Sequence, residues 1–222
     1  MIKENLEKII NEIKDGNNLG EKITLVGATK TVPVSDINFA VLNGLKVVAE
    51  NKVQEFREKT DLIVGAEQQF IGHLQTNKAK YLVGKVSLIH TVDTFRLAEE
   101  ISRLAVIRNV IQNVLIEINV GEEESKSGFN YDEAEKVIDT ISSLPNVKVC
   151  GFMAMLPPSD DEKYLSFLFT KMRKLYDKLI DKYSLIYLSM GMSGDYKIAI
   201  KNGSNMIRLG TALFGKRNYE VK

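Results

Sequence analysis

The chain is poor in the residues that build disulfides and metal centres. Among its 222 residues it has no tryptophan, one cysteine and two histidines. Cys150 alone cannot form an intramolecular disulfide, and no metal-ligand spacing joins it to His73 or His90. We therefore expect neither a structural disulfide nor a metal site.

An excess of charge of either sign is also missing. The chain has 30 basic and 29 acidic residues, so its formal net charge is +1. Such a balance creates no field that would attract nucleic acid or a membrane surface. Residues 1–16 are charged and amphipathic and lack the apolar core of a signal peptide, and no run reaches the length of a membrane span. The sequence predicts a cytosolic protein that binds neither nucleic acid nor membranes.

The chain does contain a regular alternation of short apolar runs and helical patterns. The runs are rich in β-branched residues and several are apolar at consecutive positions, as strands buried on both faces of a parallel sheet require. The predicted strands cover residues 23–29, 46–50, 69–72, 88–93, 113–120, 148–155, 185–191 and 206–214. Helical spacing of apolar residues occurs over 3–14, 94–108, 131–144, 161–182 and 194–202.

This alternation is typical of a (β/α)8 TIM barrel of the α/β class, here with an extra N-terminal helix. The alternative is a doubly wound sheet, which usually has a glycine-rich turn after its first strand. Here the first strand ends in Ala28, Thr29, Lys30 and Thr31 instead. Because no linker or break in composition interrupts the chain, we expect residues 1–222 to form a single domain.

Lys30 is the first candidate for chemistry. The active site of a TIM barrel lies at the carboxyl ends of its strands, and Lys30 directly follows the first strand. Desolvation and nearby cations at such a rim favour the neutral amine, which is the form that makes a Schiff base. The alternative is that Lys30 is simply the first solvated residue after the strand.

Two segments near the last two strands indicate a phosphate site. The small turn that contains Ser193 precedes a predicted helix and can present N–H groups and a hydroxyl to an anion. Arg208 lies in an apolar strand, and Gly210 allows close approach of the backbone. The alternatives are an ordinary serine N-cap and a buried ion pair of Arg208 with Glu50 or Glu117.

Seven segments, in order along the chain, resemble one known family. They are LVGATKTVP (25–33), AENKVQEF (49–56), FIGHLQTNK (70–78), INVGEEESKSGF (118–129), GFMAM (151–155), LSMGMSGDYKIAI (188–200) and GSNMIRLGTALFG (203–215). The chain resembles the pyridoxal 5′-phosphate (PLP) homeostasis proteins, the YggS/PROSC family. The resemblance implies a barrel like the N-terminal domain of alanine racemase, without that enzyme's second domain.

The resemblance also implies a cofactor and the residues that bind it. It implies a Schiff base between PLP and Lys30, with Ser193, Gly210 and Thr211 at the phosphate and Arg208 at the pyridine nitrogen. The complete set of implied cofactor-binding residues is Lys30, Asn51, His73, Met190, Gly191, Met192, Ser193, Arg208, Gly210 and Thr211.

An arginine beside the pyridine nitrogen opposes its protonation and weakens the ring as an electron sink. We therefore expect a PLP-binding protein that maintains intracellular PLP (vitamin B6) and amino-acid homeostasis without robust catalysis. We also expect a monomer, because the barrel needs no partner to close its core. No residue is assigned a catalytic role, and PLP-dependent apoenzymes are the expected recipients. The alternatives are an amino-acid racemase of low activity and a phosphate-sugar barrel enzyme without a Schiff base. Attachment of PLP to Lys78 or Lys126 would contradict the assignment of Lys30, and the sequence does not assign these two lysines a role in PLP release.

Overall fold

The computed structural model describes residues 1–123 and 127–215, so Lys126 lies outside the described residues. Strands and helices alternate along these two segments. The strands are β1 (Thr24–Ala28), β2 (Val47–Glu50), β3 (Glu67–Phe70), β4 (Leu88–Val92), β5 (Gln112–Asn119), β6 (Phe129–Asn130), β7 (Val147–Met153), β8 (Tyr187–Ser189) and β9 (Met206–Leu209). The α-helices are α1 (Ile2–Ile13), α2 (Val34–Leu42), α3 (Val53–Lys59), α4 (Phe95–Arg108), α5 (Ala134–Ser142), α6 (Glu162–Tyr183), α7 (Tyr196–Lys201) and α8 (Thr211–Phe214).

Eight of the strands close into a parallel barrel in the order β1, β2, β3, β4, β5, β7, β8, β9. The ring closes where β9 pairs with β1, so that Val26 lies opposite Arg208 on one side and Val47 of β2 on the other. The two-residue strand β6 pairs with the end of β5. The predicted α/β TIM barrel with an additional N-terminal helix is confirmed.

Alternation of side chains divides the core into an inner and an outer layer. Val26, Leu115 and Met206 belong to a cluster inside the barrel, whereas Val114 and Ile116 face the surrounding helices. Residues two apart on a strand share a face, so the later residues of each inward-facing row lie at the carboxyl end of the barrel. The inward rows therefore carry the side chains from which a site at this end is built.

Helix α1 packs against the last helix of the described chain. Leu6 and Ile9 of α1 are buried, and the Asn5 side-chain amide donates to the Leu213 carbonyl at 3.1 Å. α1 also contacts α2. No helix within residues 1–123 or 127–215 combines the length and the apolar composition that a membrane crossing needs.

The structure differs from the predicted strand over 206–214. β9 ends at Leu209, and Thr211–Phe214 forms the short helix α8. The buried side chain of this segment is Leu213, which belongs to the same outer cluster as Leu6 of α1. A short apolar run has no periodicity that separates a buried strand from a buried helix, and this run contains one of each.

Candidate functional site

A cavity of about 780 Å³ opens at the carboxyl ends of the barrel strands. Its wall combines strand ends and the loops that follow them. The lining residues are Ala28, Lys30, Ala49, Asn51, Lys52, Ile71, Gly72, His73, Thr91, Glu117, Ile118, Ser127, Met153, Met155, Met192, Ser193, Gly194, Arg208, Gly210 and Thr211.

Most of the residues singled out in the sequence come together here. The cavity is lined by Lys30, Asn51, His73, Met192, Ser193, Arg208, Gly210 and Thr211. Met190 and Gly191, which were also predicted, are not among the lining residues. Met190 is fully buried in the large hydrophobic core, and the Gly191 carbonyl accepts a hydrogen bond from the Arg208 backbone N–H at 3.0 Å.

Lys30 lies in a turn with an uncommon backbone. The next residue, Thr31, has φ of 61° in the left-handed region, which is a genuine outlier for a β-branched residue. Its N–H donates to Glu55 Oε2 at 2.7 Å. A strained conformation persists only where neighbouring groups hold it, and the Glu55 carboxylate of α3 is the group that does so here.

A nearly buried ionic cluster lies beneath this turn. Lys59 Nζ donates to Glu50 Oε1 at 2.9 Å, to Glu55 Oε2 at 2.8 Å and to the Thr29 carbonyl at 2.9 Å. The Thr29 hydroxyl donates to Glu50 Oε1 at 2.7 Å. Because Thr29 precedes Lys30 and Thr31 follows it, the cluster fixes the backbone on both sides of Lys30.

The pKa values of the two carboxyl groups in this cluster are shifted in opposite directions. Burial raises the pKa of Glu50, and the hydrogen bonds from Lys59 and Thr29 only partly offset it. Burial also raises the pKa of Glu55, but the bonds from Lys59 and from the Thr31 N–H outweigh it, so this pKa is lowered. The ionised form is therefore more strongly favoured at Glu55 than at Glu50.

Arg208 enters the cavity from β9 with neutral partners. Its Nη1 donates to the Ser189 carbonyl at 2.8 Å and to Ser189 Oγ at 2.7 Å, and its Nη2 donates to the Ala154 carbonyl at 3.1 Å. Among residues 1–123 and 127–215 it makes no salt bridge. Burial lowers the pKa of Arg208 to about 10, against the opposing effects of Glu117 and Asp195. The guanidinium remains charged at neutral pH, without a paired carboxylate.

The ends of β8 and β9 bring hydroxyl groups to one side of the cavity. Ser193 Oγ accepts a hydrogen bond from the Ala212 N–H at 3.1 Å. This bond joins the loop after β8 to the start of α8, next to Gly210 and Thr211. The two segments that the sequence indicated as a phosphate site are thus direct neighbours.

Two acidic groups and a histidine line or border the cavity from β3, β4 and β5. His73 Nδ1 lies 2.9 Å from Asp93 Oδ2, and the His73 side chain is 62% exposed. Glu117 projects from β5 into the cavity wall. Burial and the nearby Asp93 charge raise the pKa of Glu117 to about 7, although Arg208 and His73 oppose this shift.

Asn51 supplies an unsatisfied polar atom. Its Oδ1 is buried and has no hydrogen-bond partner within the described part of the chain. Gly72 packs so closely that a Cβ there would lie 1.9 Å from the Asn51 carbonyl oxygen, so only glycine fits. A buried acceptor of this kind is costly unless a ligand or water donates to it.

Comparisons with known proteins agree on one family. The model of the family described as "Alanine racemase, N-terminal domain" matches residues 3–218. The pyridoxal phosphate homeostasis protein of Aquifex aeolicus is 43% identical over 220 residues, which is 97% of this chain and 95% of that protein. The chain therefore belongs to the family of pyridoxal phosphate homeostasis proteins.

Solved structures extend the comparison. PipY of Synechococcus elongatus PCC7942, in a structure with PLP bound, matches with a TM-score of 0.83 and 28% identity, covering 97% of this chain and 100% of that one. An alanine racemase of Clostridium difficile 630 matches with a TM-score of 0.74 and 16% identity, covering 98% of this chain and 58% of the racemase. At that identity the racemase shows the shared fold alone.

The ionic cluster around Lys59 was not predicted from the sequence. Glu55 and Lys59 are four residues apart on a helix, a spacing that normally indicates an exposed ion pair. Only the neighbouring buried Phe56 hints that this helix face turns inward. The left-handed backbone of Thr31 has no sequence signal, since such positions usually carry glycine or asparagine.

Proposed function

We propose that this protein binds PLP as a Schiff base on Lys30 and acts as a carrier that maintains intracellular PLP and amino-acid homeostasis. The observation that carries this proposal is the convergence of Lys30, the unpaired Arg208 guanidinium and the Ser193 hydroxyl on one cavity. An amine suits the aldehyde of PLP, a donor suits its ring nitrogen, and a small hydroxyl-containing turn suits its phosphate. Family membership and the PLP-bound PipY structure support the same ligand.

The polar groups of the wall fit such a cofactor. In this proposal Ser193, Gly210 and Thr211 hold the phosphate, and Arg208 donates to the ring nitrogen. Asn51 lines the same cavity, and its buried Oδ1 has no partner within the described residues, so a ligand or water at this position can donate to it. His73 and Met192 border the ring, while Gly191 accepts from the Arg208 backbone N–H and Met190 is buried in the core.

A carrier role is favoured over catalysis by the charge at the ring. PLP supplies an electron sink for amino-acid chemistry when its ring nitrogen is protonated. The Arg208 cation opposes that protonation because like charges repel. In addition, no tyrosine of residues 1–123 or 127–215 lines the cavity as a second acid or base. We infer that PLP-dependent apoenzymes receive the cofactor in the cytosol, and that the protein is a monomer whose barrel closes without a partner.

Reduction with borohydride followed by peptide mass mapping tests the anchor. We expect one pyridoxyl group, on Lys30, and complete loss of it in Lys30→Ala. Lys22→Ala is the matched control, because exposed Lys22 precedes β1 at the opposite end of the barrel. A pyridoxyl group on Lys52, Lys78 or Lys126 would overturn the anchor, and its absence from every lysine would overturn the cofactor.

Transfer and homeostasis need a separate test. We expect the PLP-loaded protein to activate a PLP-dependent apoenzyme faster than the Lys30→Ala chain does. Cells without the protein should show altered free amino-acid pools and lower saturation of PLP enzymes. Unchanged pools and unchanged saturation would count against the carrier role while leaving PLP binding intact.

A weak racemase is the second candidate function. The observation that favours it is the presence of titratable Glu117 and the His73–Asp93 pair beside the same cavity. This candidate predicts exchange of the amino-acid Cα proton with solvent deuterium, measured by NMR across a panel of amino acids. We expect no exchange above that of free PLP.

A further inference from the structure

A continuous row of polar side chains crosses the inside of the barrel. Ser189 Oγ accepts from Arg208 Nη1 at 2.7 Å and lies 3.2 Å from His90 Nδ1. His90 Nε2 lies 2.7 Å from Gln69 Oε1, and Gln69 Nε2 donates to Glu67 Oε1 at 2.8 Å. The row starts at the cavity and ends at Glu67, an exposed residue at the beginning of β3.

Only one arrangement of hydrogens satisfies this row with an uncharged His90. A guanidinium can only donate and a carboxylate can only accept, so Arg208 and Glu67 fix the direction at both ends. The amide of Gln69 must then donate to Glu67, which leaves its oxygen to accept from His90 Nε2. The remaining ring nitrogen, Nδ1, accepts from the Ser189 hydroxyl. His90 is therefore the neutral tautomer with its hydrogen on Nε2.

Electrostatics favours the same state of His90. The side chain is fully buried, and burial together with the Arg208 charge holds its pKa well below the usual range. A second hydrogen on Nδ1 would also remove the acceptor on which the Ser189 hydroxyl depends. The histidine thus contributes a fixed acceptor, without charge, to the residue that holds Arg208.

This arrangement determines where the guanidinium points. Three hydrogen bonds to Ser189 and Ala154 occupy Nη1 and Nη2. Two of the five N–H groups of Arg208, the Nε–H and one on Nη2, have no acceptor within residues 1–123 and 127–215, and Arg208 lines the cavity. The bonded side of the guanidinium faces the barrel interior, so these two N–H groups are available to a ligand.

We propose that His90 is a positioning residue for the cofactor: its Nδ1 orients the Ser189 hydroxyl, which in turn fixes the Arg208 guanidinium against the PLP ring. This inference rests on the proposed PLP site. The competing explanation is that His90 only fills space and satisfies hydrogen bonds in the barrel core. The two explanations differ in their predictions for the imidazole nitrogens of His90. A positioning role requires Nδ1 for PLP binding, whereas a space-filling role gives Nδ1 and Nε2 equal importance.

Two amide substitutions separate the ring nitrogens. In His90→Asn the amide oxygen can take the place of Nδ1, whereas in His90→Gln the longer amide reaches the position of Nε2. Both variants lose one partner in the core, so a space-filling role predicts similar effects. A positioning role predicts that His90→Asn binds PLP within about twofold of the parent. His90→Gln should bind PLP about tenfold more weakly, because a displaced Arg208 would lose about one charged hydrogen bond to the cofactor.

Absorbance of the lysine-bound cofactor provides a second readout, since it responds to the ring environment. We expect the parent band in His90→Asn and a shifted band in both His90→Gln and Ser189→Ala. Combining the last two substitutions should add little, because they break the same connection. Equal spectra and affinities in His90→Asn and His90→Gln would overturn the proposal.

An experiment without PLP tests the hydrogen arrangement itself. The chain has two histidines, so His73→Asn labelled with nitrogen-15 histidine gives ring signals from His90 alone. We expect the neutral Nε2-protonated form from about pH 5.5 to about pH 8, on both sides of the ordinary histidine pKa of about 6.5. A charged or Nδ1-protonated ring would refute the positioning role even if PLP binds to Lys30. A neutral, Nε2-protonated His90 in a protein that does not bind PLP would refute the proposed function but not the hydrogen arrangement.

Discussion

Two largely buried cations lie beside the cavity, and they differ in how their charge is balanced. Lys59 is 13% exposed and contacts the carboxylates of Glu50 and Glu55. Arg208 is more deeply buried, yet it contacts only carbonyl and hydroxyl oxygens. The charge of Lys59 is balanced by carboxylates of the protein, and the resulting ion pairs hold the Lys30 turn. The charge of Arg208 is not balanced by a carboxylate and can interact with an anionic or acceptor group in the cavity.

The largest effect should come from removing the balanced cation. Lys59→Met leaves two carboxylates without their partner, and breaking a largely buried pair in this way costs about 3 kcal/mol or more of unfolding free energy. Chemical denaturation measures it, with exposed Lys85→Met as the control that should change stability by less than about 0.5 kcal/mol. A loss below about 1 kcal/mol in Lys59→Met would show that the cluster is not what holds the turn.

A smaller effect on stability should come from Glu117, the acid whose charge acts most strongly on the unbalanced cation, Arg208. The pKa of Glu117 is raised to about 7, so the folded protein favours its protonated form. This contribution is fully present below the unfolded pKa of about 4.5 and is lost as pH rises through about 7. The change is on the order of 3 kcal/mol, since one pKa unit corresponds to about 1.4 kcal/mol.

The Glu117 prediction is measured as unfolding free energy between pH 4.5 and pH 8, on protein prepared without PLP. Glu117→Gln should flatten the decline that the parent shows across this interval. Exposed Glu133→Gln should leave the decline unchanged. A parent whose stability rises over the same range would contradict the raised pKa.

Removing the unbalanced cation should affect the ligand more than the fold. Arg208→Met leaves backbone carbonyls unpaired, but it also removes the cost of burying a charge without a partner. We expect a net loss of about 1 kcal/mol in stability, together with PLP binding about tenfold weaker and a changed cofactor absorbance. If Arg208→Met destabilised the protein as much as Lys59→Met does, the distinction between the two cations would fail.

The smallest effect concerns the strained residue that the balanced cation supports. Thr31→Gly relieves a left-handed φ that costs a non-glycine residue roughly 1–2 kcal/mol, but glycine restores about 0.5–1 kcal/mol of chain entropy to the unfolded state. We expect stability within about 1 kcal/mol of the parent. Lys59→Met should cost less in the Thr31→Gly background, and additive effects in this double-mutant cycle would contradict the link.

The barrel was predictable because its signals are repeated. Each inner strand must be apolar on both faces, so runs such as 113–120 are visible without a structure. Boundaries were less accessible where one apolar run continues from a strand into a helix, as at Gly210. Lys30 and Arg208, which both line the candidate cavity, could be proposed from the sequence because a cation beside a buried strand is unusual and the family motifs contain them.

The supporting contacts could not be predicted in the same way. His90 of β4 meets Ser189 of β8 because these two strands lie on different sides of the closed barrel, and Gln69 of the neighbouring β3 in turn meets His90. No local pattern in the sequence reports which inward side chains will touch. Lys59 illustrates the opposite failure, since its helical spacing with Glu55 indicates an exposed pair. Contacts across the barrel depend on its closure, which is a property of all eight strands together.

The pairing of β9 with β1 has a consequence for the order of events during synthesis. Lys30 follows β1, which leaves the ribosome well before Ser193, Arg208 and Thr211 near the ends of β8 and β9. Pairing over such a large sequence separation is late and slow, because loop-closure entropy must be overcome first. An incomplete chain would expose the Lys30 amine without the opposite wall of the cavity. Until β9 joins the barrel, the growing protein would therefore lack the complete cavity that is proposed to hold PLP.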